Sequence, residues 1–165
     1  MRRIARCAWL TRVINNDVLR SLRFMLETDD AGLVAMTALG GLTITRPEMT
    51  AFLKRDDEHG YVICDHWVMA HFLDGLIIHR RGRDEQAPPR PVEKVVTNNT
   101  VLKKLRVAFE LKEADILELM AASGFEVSKP ELSALFRNPG HKNFRPCGDQ
   151  FLRNFLKGLT ARVRP

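Results

Sequence analysis

An internal repeat is the feature of this sequence that most constrains its fold. Residues 15–81 align with residues 98–164 at a constant offset of 83 and without a gap, and 19 of the 67 aligned pairs are identical. Identical pairs include Asn15 with Asn98, Asn16 with Asn99, Gly41 with Gly124, Cys64 with Cys147 and Gly75 with Gly158. Self-similarity over this length indicates two copies of one structural unit. We therefore expect the copies to pack against each other with pseudo-twofold symmetry.

Each copy has the periodicity of helices. Apolar residues recur at helical spacing in four segments of the first copy and in the matching segments of the second. The segments Thr45-Arg-Pro-Glu48 and Ser128-Lys-Pro-Glu131 are capping boxes, which mark the start of the third helix of each copy. The paired asparagines at the start of each copy are suited to cap the first helix. The sequence therefore predicts an all-α fold made of two tandem four-helix repeats.

The chain divides at the edges of the repeats. We predict an N-terminal extension that is disordered or not translated, a first helical repeat, a proline-rich linker and a second helical repeat, which cover residues 1–12, 13–82, 83–97 and 98–165. The three prolines of the linker favour an extended segment. No apolar run reaches the roughly 18 residues of a membrane span. Three cysteines without the spacing of a disulfide framework favour a cytoplasmic location.

Charge is distributed unevenly between the repeats. The chain has a net charge of +6, but residues 13–82 hold 7 basic and 10 acidic side chains, whereas residues 98–165 hold 12 basic and 7 acidic side chains. The first repeat is therefore at −3 and the second at +5. Attraction to a polyanion is expected on the second repeat, or on the four arginines of residues 1–12.

Chemistry of a metal site or an enzyme is not indicated. The histidines and cysteine near the end of the first repeat invite a zinc hypothesis, but His66 and His71 are five residues apart, which separates them by about 140° around a helix. Cys64 and Cys147 suit either a redox pair at the symmetry axis or, as we favour, two buried residues. The i, i+4 pairs Arg23–Glu27 and Arg106–Glu110 suit solvated ion pairs. We predict no catalytic residue, metal, cofactor or small-molecule substrate.

Three segments of the second copy resemble a known family. They read Asn98-Asn-Thr-Val-Leu-Lys-Lys-Leu-Arg106, Gly124-Phe-Glu-Val-Ser-Lys-Pro-Glu-Leu-Ser-Ala-Leu-Phe-Arg137 and the stretch from His141 to Leu159. With these motifs the chain resembles the bacterial YehS-like family, a domain of unknown function found twice per chain. The resemblance implies a small cytosolic bacterial protein. It implies no activity and no catalytic or binding residue.

One basic segment suggests a binding role. Residues 137–145 combine cations, a glycine and an aromatic residue, which is the composition of a loop that contacts phosphates and stacks on a base, whereas the matching residues 54–62 are acidic. The second and third helices with the turn Gly124 to Ser128 also resemble a helix-turn-helix, although this turn is longer than usual. The candidate nucleic-acid-binding residues are Lys129, Ser133, Arg137, His141, Lys142, Asn143, Phe144 and Arg145.

Two functions stay open on these observations. The first is a non-enzymatic regulatory protein that associates with nucleic acid through its basic second repeat. The second is a protein-interaction module or adaptor, in which the acidic and basic repeats engage another protein or a second copy of the chain.

Overall fold

The computed structural model describes residues 13–165, so the prediction about residues 1–12 lies outside the described residues. This part of the chain is entirely helical, without a strand, which confirms the all-α prediction. It forms eight helices, four in each repeat: α1 (Asn15–Met25), α2 (Asp30–Leu39), α3 (Arg46–Leu53), α4 (His66–Arg81), α5 (Asn98–Ala108), α6 (Glu113–Ala122), α7 (Lys129–Leu135) and α8 (Asp149–Val163). No helix among these residues is both long and apolar enough to cross a bilayer.

The sequence predicts the start of the third helix of each repeat correctly, but it does not predict the cap of the first helix. Thr45 and Ser128 each accept from the glutamate amide three residues on, and each glutamate accepts from the cap amide in return, as capping boxes predict. The expectation that paired asparagines cap the first helix of each repeat is wrong. Both asparagines lie inside the helix, and the N-cap positions belong to Ile14 and Thr97.

Close contact between backbones fixes the packing of α2 on α4. A Cβ atom on Gly75 would lie 1.6 Å from the carbonyl oxygen of Met36, and one on Gly40 would lie 1.9 Å from that of His71. In the second repeat, a Cβ atom on Gly158 would lie 2.6 Å from the nearest carbonyl oxygen of α6. Glycine therefore lets α4 and α8 approach their neighbours closely, and the crossing in the first repeat is the tighter one.

The repeats meet through their first and fourth helices. Helix α4 packs on α5, and α8 packs on α1, so each repeat gives one helix to each contact. Contacts along the first of these pairs join His66 to Val96, Asp74 to Lys104 and Arg80 to Ala108. Because the residue numbers rise together, α4 and α5 run parallel. The exchange of equivalent helices agrees with the predicted pseudo-twofold packing.

All four of these helices begin at the same end of the molecule. Asn15, at the start of α1, donates to Cys64 beside the start of α4, and Asn98, at the start of α5, donates to Asp149 at the start of α8. Two connections lie at this end, and we name them the acidic loop (residues 54–62) and the basic loop (residues 137–145). We call this part of the molecule the loop end. The parallel helices therefore place both loops at the loop end.

Reciprocal ion pairs join the repeats at the opposite end. Arg81 contacts Glu110 at 3.5 Å, and the equivalent Arg164 contacts Glu27 at 3.0 Å. Both glutamates adopt a left-handed backbone, with φ of 51° for Glu27 and 53° for Glu110. The predicted i, i+4 pairs are therefore wrong, because each glutamate turns away from its own helix toward the other repeat. Arg23 pairs instead with Asp30 at 3.3 Å.

The linker is not wholly separate from the repeats. It contains a turn in which the N–H of Ala87 donates to the Asp84 carbonyl at 3.3 Å. Val96 at its end is buried, and its N–H donates to Nδ1 of His66 at 2.9 Å. Val92 is half-buried against the core. The linker therefore helps to hold α4 beside α5.

Candidate nucleic-acid interface at the basic loop

Paired asparagines at the start of α5 hold the segment that carries the candidate residues. The Asn99 amide nitrogen donates to the carbonyls of Leu135 at 3.0 Å and Arg145 at 2.9 Å, and its amide oxygen accepts from the N–H of Cys147 at 2.8 Å. Asn98 donates to the Cys147 carbonyl at 3.0 Å. These bonds fix both ends of the α7–α8 connection from another helix.

The first repeat contains the same bracket in a more buried form. Asn16 donates to the carbonyls of Phe52 at 2.9 Å and Val62 at 2.8 Å, and it accepts from the N–H of Cys64 at 2.9 Å. Its side chain is fully buried, with an exposed fraction of 0%. Asn15 donates to the Cys64 carbonyl at 3.1 Å. The bracket needs two donors and an acceptor on one side chain, which explains why asparagine occupies this position in both repeats.

The two loops share one backbone arrangement. In the basic loop the N–H of Arg145 donates to the carbonyl of Ala134 at 3.1 Å, and in the acidic loop the N–H of Val62 donates to that of Ala51 at 3.2 Å. These residues are equivalent under the repeat offset. The scaffold therefore presents two loops of the same shape, which differ in their side chains.

The charges on the two loops are opposite at their tips. Arg137, Lys142 and Arg145 of the basic loop are exposed, and among residues 13–165 they take part in no ion pair. The acidic loop instead carries three consecutive exposed carboxylates, Asp56, Asp57 and Glu58, after Lys54 and Arg55, so its net charge is −1. The basic loop therefore presents positive charge that is free to meet an anion.

Six of the eight candidate residues come together in the basic loop, and two do not. Phe144 is half-buried, and Nδ1 of His141 accepts from the N–H of Asn143 at 3.0 Å, so that part of the loop is internally bonded. Lys129 and Ser133 are exposed on α7, whose far end begins about 12 Å from the loop by helical rise. The candidate surface is therefore the basic loop, with one face of α7 leading away from it.

The helix pair α6 and α7 differs from a standard helix-turn-helix. Six residues, 123–128, connect the two helices, and α7 itself has only 7 residues. A helix-turn-helix has a turn of about three or four residues and a recognition helix long enough to lie in a groove. Gly124 adopts φ of 82°, which explains the glycine in the connection.

Thiol and imidazole groups are arranged for packing. Burial raises the pKa of the Cys64 thiol to about 12, and it raises that of Cys147 to about 12. Both thiols are free and buried, whereas a nucleophilic cysteine needs a lowered pKa. His71 is buried and its Nδ1 bonds to the Trp67 carbonyl at 2.7 Å. Within residues 13–165, no three His, Cys, Asp or Glu side chains converge as a metal-binding group.

Sequence analysis missed an apolar patch beside the acidic loop. Val62, Ile63 and Trp67 are 50%, 68% and 57% exposed, and we name these three residues the apolar patch. The equivalent positions in the second repeat are Arg145, Pro146 and Gln150. Helical periodicity did not reveal the patch because two of its members lie in a loop. A direct comparison of the repeats at these positions could have found it.

Comparison with known proteins gives a family and a relative. The family model described as "Protein of unknown function (DUF1456)" matches residues 15–82 and again residues 98–164. The chain is 48% identical over 150 residues to the "Uncharacterized protein YehS" of Escherichia coli (strain K12), which covers 91% of this chain and 96% of that protein. No solved structure matches the chain significantly.

Proposed function

The chain belongs to the DUF1456 family of proteins of unknown function, so we infer its role from its own surface. We propose a non-enzymatic regulatory protein that associates with nucleic acid through the basic loop. One observation carries this proposal. The basic loop presents Arg137, Lys142 and Arg145 without acidic partners on a backbone that side-chain bonds hold in place. A loop backbone fixed in advance loses little freedom when its cations meet phosphates.

The nearby acidic loop limits what kind of nucleic acid fits. Its carboxylates lie at the same end of the molecule and repel phosphates, so the footprint covers only a few nucleotides. Phe144 is half-buried in the basic loop, which leaves part of its ring for stacking on a base. A single strand can reach the loop over a short length, whereas a duplex carries more charge past the acidic loop. We therefore propose preference for single strands, with the candidate residues of the loop as the contacts and Lys129 and Ser133 at its margin.

A role in binding is favoured over catalysis by the state of the thiols. Among residues 13–165, Cys64 and Cys147 are buried with raised pKa, so neither of these two supplies a thiolate at neutral pH. Free thiols also support a cytoplasmic location, because such compartments keep cysteine reduced.

The test is a comparison of two triple variants with equal net charge. In Arg137→Ala/Lys142→Ala/Arg145→Ala the cations of the basic loop are lost, and in Arg46→Ala/Arg90→Ala/Lys112→Ala three exposed cations outside both loops are lost. Fluorescence polarisation with a labelled single strand and with its duplex measures affinity against salt. We expect only the first variant to weaken binding, with the slope of log affinity against log salt reduced by roughly 0.7 per lost contact to a single strand.

Two outcomes would reject this proposal. One is a wild type that binds neither probe at roughly 50 mM salt, where phosphate contacts are strong. The other is equal weakening in both variants, which would show that net charge alone drives binding.

A second candidate function, protein interaction, is favoured by a different observation. The apolar patch exposes a tryptophan and two aliphatic side chains within six consecutive residues, and clustered exposed apolar side chains favour contact with another molecule. Replacing Trp67 with Ser should abolish capture of a partner in a pull-down without changing nucleic-acid binding. Equal loss of both would show that the substitution acts on the fold.

A further inference from the structure

The loop end is self-complementary, because it carries opposite charges on two loops of the same shape. The acidic loop presents Asp56, Asp57 and Glu58, and the basic loop presents Arg137, Lys142 and Arg145. Among residues 13–165, no ion pair joins any of these six side chains to another of the six. Neither loop therefore satisfies the charge of the other within one molecule.

The pseudo-twofold axis makes a closed arrangement of two copies available. This axis runs along the parallel helices and exchanges the positions of the two loops. A true twofold axis perpendicular to it, and to the line that joins the loops, turns a second copy end to end. The acidic loop of each copy then faces the basic loop of the other, and the contact occurs twice. Such an interface closes on itself, so it forms a dimer and not a filament.

The apolar patch lies within the same face. It begins in the acidic loop at Val62 and continues to Trp67 in the first turn of α4. In the end-to-end arrangement it faces the region of Arg145 on the second copy. An exposed indole ring attracts a guanidinium group that stacks on it. The patch thus supplies apolar burial beside the two ionic contacts.

We propose that the loop end binds a second copy of this chain, with each acidic loop and apolar patch seated against the basic loop of its partner. The inference rests on the second candidate function, protein interaction, and names its partner. Because the basic loop is shared, nucleic acid and the second copy compete for it. Single strands that bind the basic loop therefore dissociate the dimer.

A charge-reversal experiment tests the pairing directly. Variant A carries Asp56→Lys and Asp57→Lys, which makes both loops basic, and variant B carries Arg137→Glu and Lys142→Glu, which makes both loops acidic. All four side chains are exposed, so the fold should be kept, and circular dichroism checks this. Sedimentation velocity on the full chain, at low and high salt, measures association of the wild type, of each variant alone and of an equimolar mixture.

We expect a wild-type dimer that weakens with salt, and a dissociation constant raised roughly tenfold or more in each variant alone, because like charges then face each other. The mixture of A and B should restore the dimer, since both contacts are complementary again. A monomeric wild type at every concentration would overturn the proposal, and nucleic acid or a different protein would then be the occupant. Variants that dimerise as well as the wild type would also overturn it, as would species that keep growing with concentration.

These outcomes separate self-association from the other proposals. If the wild type does not dimerise but still binds a single strand, only the self-association proposal is rejected. If the wild type neither dimerises nor binds a single strand but still captures a different protein, the function is protein interaction without self-association.

Discussion

The two repeats share a framework and differ in what they place on it. Both use an asparagine bracket, a capping box and a glycine at the crossing of the second and fourth helices, and these features include five of the 19 identical pairs. The loops that the bracket holds carry carboxylates in one repeat and cations in the other. Duplication therefore preserved the residues that make the fold and left the exposed loop free to change its charge.

The repeats also differ in how tightly equivalent parts pack. Asn16 is fully buried whereas Asn99 is half-buried, and Gly75 is closer to its neighbour than Gly158 is. Between the repeats, α4 packs closely on α5, whereas α1 and α8 leave a groove of about 390 Å³. The first repeat and its contact with α5 form the more closely packed half, which gives four predictions.

The largest expected effect is the loss of the bracket in the first repeat. Asn16→Ala leaves the N–H of Cys64 and the carbonyls of Phe52 and Val62 without their side-chain partner, and the first two of these groups are buried. We expect a loss of about 3 kcal/mol or more in the free energy of unfolding, because each unpaired buried group costs about 1–3 kcal/mol. Asn99→Ala should cost about half as much, since water reaches the Arg145 carbonyl. Urea unfolding of both variants measures the difference, and equal losses would contradict the contrast in burial.

The next effect concerns the helix crossings. Gly75→Ala places a methyl group against the Met36 carbonyl, and two backbones have to separate. We expect a loss at the upper end of the about 1–3 kcal/mol that overpacking costs. Gly158→Ala should cost about 1 kcal/mol, because its neighbour is further away and alanine favours the helix. Thermal unfolding compares the two variants. A larger loss for Gly158→Ala would contradict the conclusion that the crossing in the first repeat is the tighter one.

A smaller effect separates the two contacts between repeats. Asp74 and Lys104 meet at 2.7 Å and are 23% and 15% exposed, whereas the equivalent Lys157 and Ser21 line the groove between α1 and α8. Asp74→Ala should lower the free energy of unfolding by about 1 kcal/mol at low salt and by less at high salt. Lys157→Ala should stay within about 0.5 kcal/mol. Unfolding curves at two salt concentrations test this, and a salt-independent loss for Asp74→Ala would assign the effect to packing.

The last prediction concerns a property in which the repeats should agree, so the smallest difference between them is expected here. The pKa of each thiol is raised by burial from 9.0 to about 12, so the folded state holds both protons more tightly than the unfolded state. Below pH 9 this contribution to stability is fully present, and it is lost as pH rises from 9 toward 12. Cys64→Ala and Cys147→Ala should each flatten the alkaline loss of stability by a similar amount. A change in slope below pH 8 would place another titrating group there.

Much of the fold follows from local sequence. Capping boxes at Thr45 and Ser128, apolar periodicity and the repeat offset predict the helices, because these signals depend on neighbours within one helical turn. The exposure of the charged candidate residues in the basic loop could also be predicted from the sequence, because charged side chains are usually exposed. The asparagine bracket was not predicted, since its partners lie 36 to 48 residues away in sequence. The reciprocal ion pairs of Glu27 and Glu110 with the other repeat were missed for the same reason.

What the sequence determined by itself is the set of helices, their duplication and the opposite charge of two equivalent loops. Only the tertiary structure decided that these loops share one end, because the parallel course of α1, α4, α5 and α8 depends on contacts between repeats. It also decided which of two equal asparagines is sealed from water and which crossing glycine lies closer to its neighbour. The physical reason is that burial and close approach belong to pairs of distant segments, whereas helix formation and charge belong to short stretches of chain.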